Sequence, residues 1–185
     1  MENREALLFA LQELRKDDTR KQQRGLHFII ASVFLWAGIL VIHASSLPIS
    51  TKNLYTFFSS ASLVPIAYLI SKLIGVYFQN KDNPLSRLGI LFALNQMLYI
   101  LIAMWVYAAI PEKMLMVYAM IFGAHLLPYG WLYQCKIYYV LSVFIPIAVL
   151  VVGIYCSSVV VAALMLLVEI VFCICLIIEN KGGKL

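Results

Sequence analysis

The sequence predicts an all-α, polytopic membrane protein: a bundle of six transmembrane helices preceded by an N-terminal amphipathic cytoplasmic helix. Three observations predict it. Of 185 residues, 63% are hydrophobic and only 12% charged, against roughly 45–50% and about 25% in soluble domains. Six stretches approach the ~20 mainly apolar residues that a spanning helix needs. No strand alternation of the outer-membrane-barrel kind occurs. A soluble globule of this size could not hide so much apolar surface. An ordinary cytosolic enzyme, a nucleic-acid-binding domain, a disordered chain and a disulfide-stapled secreted module are therefore excluded.

Residues 1–24 come first. Leu7, Leu11 and Leu14 are spaced i, i+4, i+7, with Leu8 beside them, which makes one helical face. Glu2 and Glu5 suit a first turn, and basic residues follow. The expected element is a helix on the inner leaflet, with Lys16, Arg20, Lys21 and Arg24 toward anionic lipid. Docking on the protein's own loops or on a partner chain is the alternative. The segment is too long and too charged for a signal-peptide n-region, so span one is expected to stay attached.

Residues 25–178 form the transmembrane domain, with spans at 25–44, 54–77, 85–109, 113–132, 137–155 and 158–178. Pro48, the stretch 79–84 and Ile110-Pro111-Glu112 break the chain between spans. The connections at 133–136 and 156–158 are short. The last pair is read as two spans joined by a tight turn, because one 40-residue helix would be about twice the bilayer thickness. Residues 179–185 are a short cytoplasmic tail. Pro65, Pro128 and Pro146 interrupt spans and mark kinks. A shared Pro-Ile-Ala pattern around Pro65 and Pro146 raises an inverted repeat, which the flanking spans do not support. Gly89/Ala93, Ala119/Gly123 and Gly153/Ser157 are small pairs that allow helices to approach closely.

Basic residues set the orientation. Arg4, Arg15, Lys16, Arg20, Lys21, Arg24, Lys72, Lys81, Arg87, Lys136, Lys181 and Lys184 fall on one side, and only Lys52 and Lys113 on the other. Both termini are expected in the cytoplasm, and the net charge of +5 is a topology signal. Tyr55, Phe57, Phe58, Trp105 and Tyr107 are read as the outer aromatic belt. Tyr129, Trp131, Tyr133, Tyr138 and Tyr139 are read as the inner one. His27 and His43 stand at span ends and are expected at the interfaces.

The informative residues are polar groups at membrane depth. A charged carboxylate at a helix centre costs roughly 2.5–3.5 kcal/mol on insertion scales. Glu169, near the middle of span six, should therefore face the bundle interior or a wet cavity. Counting about 1.5 Å per residue, Asn95 and Gln96 of span three, His125 of span four and Glu169 reach similar depths. Tyr99 and Tyr129 lie one turn from Asn95 and His125. Asn95, Gln96, Tyr99, His125, Tyr129 and Glu169 are the candidate ligand-binding residues. A hydrogen-bonded cluster that only fixes helix packing is the competing reading.

Cys173 and Cys175 are two apart on a helix and point to nearly opposite sides, so they cannot chelate one ion. No metal or cofactor is expected. There is no P-loop, zinc-protease pair or Gly-x-Ser-x-Gly, and an enzyme is the less favoured reading.

Asn95-Gln96, Gly123-Ala124-His125-Leu126-Leu127-Pro128-Tyr129 and Trp131-Leu132-Tyr133 carry a resemblance, densest over 82–134. The chain resembles a family of small bacterial multi-pass membrane proteins of unknown function. The resemblance implies a bacterial inner membrane and transfers no functional residue. In size and span count the chain is also similar to the substrate-binding components of energy-coupling-factor vitamin transporters, a likeness of architecture alone. The leading expectation is a protein that binds or transports a small molecule or ion, through a pocket between spans three, four and six. The alternative is a non-catalytic interaction or regulatory protein that docks a partner at its cytoplasmic face. The expected partners are the bilayer, anionic inner-leaflet lipid, a small-molecule ligand and a homo-oligomer or membrane partner, with no nucleic acid.

Overall fold

The computed structural model describes residues 2–182, so Lys184 of the basic tail lies outside the described residues. The described chain is helical with no strand, and six of its helical stretches are long and apolar enough to cross a membrane. The helices are α1 (Glu2–Lys21), α2 (Leu26–Ala44), α3 (Ile49–Ala61), α4 (Leu63–Leu73), α5 (Ser86–Ala109), α6 (Met114–Ala124), α7 (Leu126–Leu132), α8 (Lys136–Tyr155) and α9 (Ser158–Gly182). Span one is α2, span two is α3 with α4, span three is α5, span four is α6 with α7, and spans five and six are α8 and α9.

Span two starts and stops about a turn earlier than the hydropathy pattern suggests. Pro48 precedes its first turn, and Lys52 and Asn53 lie inside the helix. Lys52 Nζ donates to the His43 carbonyl at 2.9 Å, and Asn53 Nδ2 to the Pro111 carbonyl at 2.8 Å. These bonds explain why polar residues enter a span. At the other end Gly75, at φ 70°, turns the chain away.

Spans two and four break three residues before a proline, at Ser62 before Pro65 and at His125 before Pro128. A proline has no N–H to offer the carbonyl four residues back, so the ladder opens there. Ser62 Oγ donates to the Ser59 carbonyl at 2.6 Å, and the His125 ring nitrogen Nδ1 bonds the Phe122 carbonyl. Pro146 is carried inside α8 without a break.

The core lies where spans one, four, five and six meet. α2 packs along α9 and α4, and α6 along α8 and α5. Trp36 is fully buried and meets Phe122 edge-on at 5.6 Å between ring centroids. Span three is the outlier. Of α5, only Ser86, Ala103 and Val106 are buried.

The N-terminal helix divides in two. Leu7, Leu8 and Phe9 stand exposed. From Leu14 onward α1 docks on the bundle's own base. Asn83 Nδ2 donates to the Leu14 carbonyl at 2.7 Å, Asn80 Nδ2 to Asp17 Oδ2 at 2.7 Å, and the Arg15 guanidinium lies 4.4 Å over the Trp131 ring. Arg24, expected toward lipid, is buried in the chain's own base. It is 7% exposed, with Nη1 donating to Asn180 Oδ1 and Nε 3.6 Å from Glu179. Lys21 is held by Asp17 at 3.1 Å, while Lys16 and Arg20 remain exposed.

The turn between α1 and α2 explains this placement. Gln23, Arg24 and Gly25 all have positive φ, a conformation costing roughly 1–2 kcal/mol per non-glycine residue. The Asn180 amide donates to the Gln23 carbonyl at 3.0 Å, and the Tyr138 hydroxyl to the Arg24 carbonyl at 2.6 Å. Gly25 also has no room for a side chain, since a Cβ would sit 3.0 Å from the Tyr133 ring. Glu179 and Asn180, read as a tail, belong to α9 because they secure this turn.

Candidate functional site

A cavity of about 90 Å³ opens within the bundle. Its floor is span one, with Phe28, Ile29 and Ser32. Span three adds Gln96, and span four adds Phe122, His125, Leu126 and Tyr129. Leu63, Gly25, Tyr133 and Tyr138 complete the wall. A water needs on the order of 10–15 Å³, so the cavity suits a ligand of several heavy atoms.

Three of the six sequence-predicted residues line it: Gln96, His125 and Tyr129. The helix break before Pro128 turns α7 against α6 at His125. Asn95 and Tyr99 lie elsewhere. Both are exposed on α5, where Asn95 Nδ2 donates to the Tyr99 hydroxyl at 3.1 Å. Successive helical residues are about 100° apart, so the face that gives Gln96 to the cavity turns Asn95 away. Glu169 is fully buried and is not in the wall. It stands behind Ser32, whose Oγ lies 2.5 Å from Glu169 Oε2, while Oε1 has no partner among the described residues. The pocket expected between spans three, four and six is thus built on span one, and span six reaches it through one hydroxyl.

The sequence reading missed Phe28, Ser32, Phe122, Tyr133 and Tyr138. Tyr133 and Tyr138 are not belt residues. They are 4% and 2% exposed, and only Trp131 and Tyr139 of that group stay exposed. His27 and His43 stand at the two ends of α2, as read, and are buried within the chain. His27 packs against Phe28 and Phe78, and His43 Nε2 is 3.1 Å from the Thr56 hydroxyl. The one signal that could have found the site is Ser32, a lone hydroxyl at mid-depth in span one.

The tyrosine protons of this wall are committed outside the cavity. Tyr129 donates to the Gly89 carbonyl at 2.9 Å, Tyr133 to Gln22 Oε1 at 3.0 Å and Tyr138 to the Arg24 carbonyl. His125 Nδ1 faces the Phe122 carbonyl, so Nδ1 carries the hydrogen and Nε2 is left as an acceptor. The cavity is left with rings, the His125 Nε2 acceptor and the Gln96 amide, which can accept or donate. Among the described residues no Lys or Arg lines it. The rings form a continuous arc, with centroids 5.2 Å apart for Phe122–His125, 5.9 Å for His125–Tyr129 and 5.8 Å for Tyr133–Tyr138. Aromatic faces attract cations within about 6 Å, by roughly 0.5–2 kcal/mol each.

Outside the spans, two neighbouring carboxyls of α1 differ. Burial raises Asp17, but hydrogen bonds from Asn80, Lys21 and Asn83 outweigh it and hold the group below its ordinary range. Burial pushes Asp18 above that range. Among the described residues no group of three His, Cys, Asp or Glu is placed to hold a metal ion.

A family model described as a family of unknown function, DUF7010, matches residues 11–179. No curated protein and no solved structure matches the chain.

Proposed function

From the premise that the chain belongs to DUF7010, a family of unknown function, we propose that this membrane protein binds or transports a small organic cation, held in the aromatic cage. The observation that carries the reading is the cage's one-sided chemistry. Six aromatic rings in the wall, no Lys or Arg among the described residues that line it, and the Glu169 carboxyl one hydrogen bond behind Ser32 suit a positive ligand. Gln96, His125 and Tyr129 touch the ligand, and Glu169 supplies charge through Ser32. Asn95 and Tyr99 take no part. A cavity reaching the Glu169 partner favours ligand binding over a solid regulatory scaffold.

The test is calorimetry on the full-length protein in phosphatidylcholine nanodiscs. Tetramethylammonium should bind saturably, and tert-butanol, of similar size but neutral, at least about tenfold more weakly, a difference of about 1.4 kcal/mol. Equal binding of the two, or no binding of either, would remove the proposal.

The same reading sets both termini in the cytoplasm of a bacterial inner membrane, on the strength of the basic-residue asymmetry. Single cysteines introduced into a background with the four native cysteines replaced report it. Glu112→Cys should react with an impermeant maleimide in intact cells, and Lys81→Cys only after permeabilisation, both positions being exposed. The reverse pattern would invert the topology.

A further inference from the structure

Next to the cage, toward the end of the bundle that carries both termini, lies a second cavity of about 240 Å³. Phe28, Tyr129 and Tyr133 wall both cavities, so the two are in series with rings between them. Spans two and three pack little on each other. At the far end Asn53 donates to the Pro111 carbonyl, just past α5, and the Phe57 and Tyr107 rings meet at 6.1 Å. Nearer the termini α4 and α5 scarcely touch.

Asp18, brought here by the docking of α1, lines this second cavity. It is fully buried. Its Oδ1 accepts from Gln22 Nε2 at 2.9 Å, and Oδ2 has no partner among the described residues. Lys21, about one helical turn further along α1, is bonded to Asp17 and Asn80 instead. A buried carboxyl with an unmet oxygen is costly unless it takes up a proton or something positive meets it.

We infer that this cavity is a cation-binding vestibule, with Asp18 as its binding group and Phe28 with Tyr129 as the partition before the cage. The inference rests on the cage reading for its destination. An ammonium group settles at Asp18, exchanges its water for carboxylate and Gln22, and passes the rings into the cage. The vestibule's negative charge raises the local concentration of cations over neutral molecules of the same size.

A covalent label tests this on the full chain in nanodiscs, with the four native cysteines replaced and Gln96→Cys as reporter in the cage wall. The cationic reagent 2-aminoethyl methanethiosulfonate should modify that thiol faster than neutral methyl methanethiosulfonate, each scaled to its rate with a free thiol. Asp18→Asn, which keeps the shape and the Gln22 bond, should cut the cationic preference on the order of tenfold and leave the neutral rate unchanged. Asp18→Glu should keep the preference, and thermal melts establish that both variants are folded. An undiminished preference in Asp18→Asn, or an equal change for both reagents, overturns the vestibule. The label reads access and not occupancy. A failure of tetramethylammonium to bind in calorimetry, with the Asp18-dependent preference intact, would therefore remove the cage and leave the vestibule.

Discussion

Gly123→Ala should lower the thermal stability of the protein more than the same change at any other helical glycine. A Cβ at 123 would clash with Ile145 Cγ2 and lie 2.6 Å from Ile145 Cβ and 3.0 Å from Pro146 Cδ. Neither neighbour can give way. Ile145 is 1% exposed and stiff at its branched Cβ, and the Pro146 ring is rigid. The helices α6 and α8 would have to part, and overpacking of this kind costs roughly 1–3 kcal/mol. Gly153→Ala meets the more flexible Met116 side chain and should cost less. Gly89→Ala meets nothing closer than Leu132 Cδ2 at 3.6 Å, and Gly38→Ala nothing within 4 Å, so both should melt near wild type. The measurement is a detergent thermal-shift series of the four variants. A wild-type melting temperature for Gly123→Ala would mean that α6 and α8 do not approach as described. The same contact fixes Phe122 and His125, so loss of cage geometry should accompany loss of stability.

That contact also shows how far the sequence can be read. The spacing Ala119/Gly123 announces a close helix approach, because only small residues at four-residue spacing leave a flat stripe. It does not say which helix fills the stripe. The six spans and both broken helices follow from apolar length and from Pro65 and Pro128, which act within one segment. The site depends on azimuth and on long-range partners. Asn95 and Gln96 look equivalent in sequence, yet one faces out and the other in, since only the packing of α5 on α6 selects the face. Tyr133 and Tyr138 read as an interfacial belt because belt residues and buried tyrosines share a composition. What distinguishes them is the acceptor each finds, Gln22 and the Arg24 carbonyl. Those acceptors arrive only when residues 23–25 fold α1 back under the bundle, a turn that propensity argues against. Glu169 was legible as costly and therefore partnered, but its partner on span one, 137 residues earlier, was not.

Glu169→Gln should abolish most of the cation affinity while leaving the fold intact, and Ser32→Ala should do the opposite damage first. Ser32 Oγ is 2.8 Å from the Ile29 carbonyl and 2.5 Å from Glu169 Oε2, and it has one hydrogen to give. With the proton on Glu169, the carboxyl donates to Ser32 and Ser32 donates to Ile29, so both contacts are met. With Glu169 ionised, the Ser32 hydrogen turns to the carboxylate and the Ile29 carbonyl keeps only its helical bond. A cation in the cage favours the second arrangement, so its binding should displace a proton and strengthen as pH rises. His125 lines the same cage, and losing a proton there acts in the same direction; none of the other lining residues is acidic or basic. Gln at 169 can still donate to Ser32 but carries no charge. Tetramethylammonium affinity should therefore fall at least about tenfold, or about 1.4 kcal/mol, and its pH dependence should flatten more than in His125→Asn. Ser32→Ala leaves a buried carboxyl with neither oxygen bonded, a penalty of roughly 1–3 kcal/mol in stability. Glu169→Leu removes the same interhelical bond with no stranded group and should cost about 1 kcal/mol. In the double variant Ser32→Ala with Glu169→Leu, most of the Ser32→Ala penalty should vanish, because nothing polar is left behind. Calorimetry at pH 6 and pH 8, with melting curves of the four variants and His125→Asn, decides the matter. Wild-type affinity in Glu169→Gln, with the penalties additive in the double variant, would reduce Glu169 and Ser32 to independent packing residues and leave the cage without its charge.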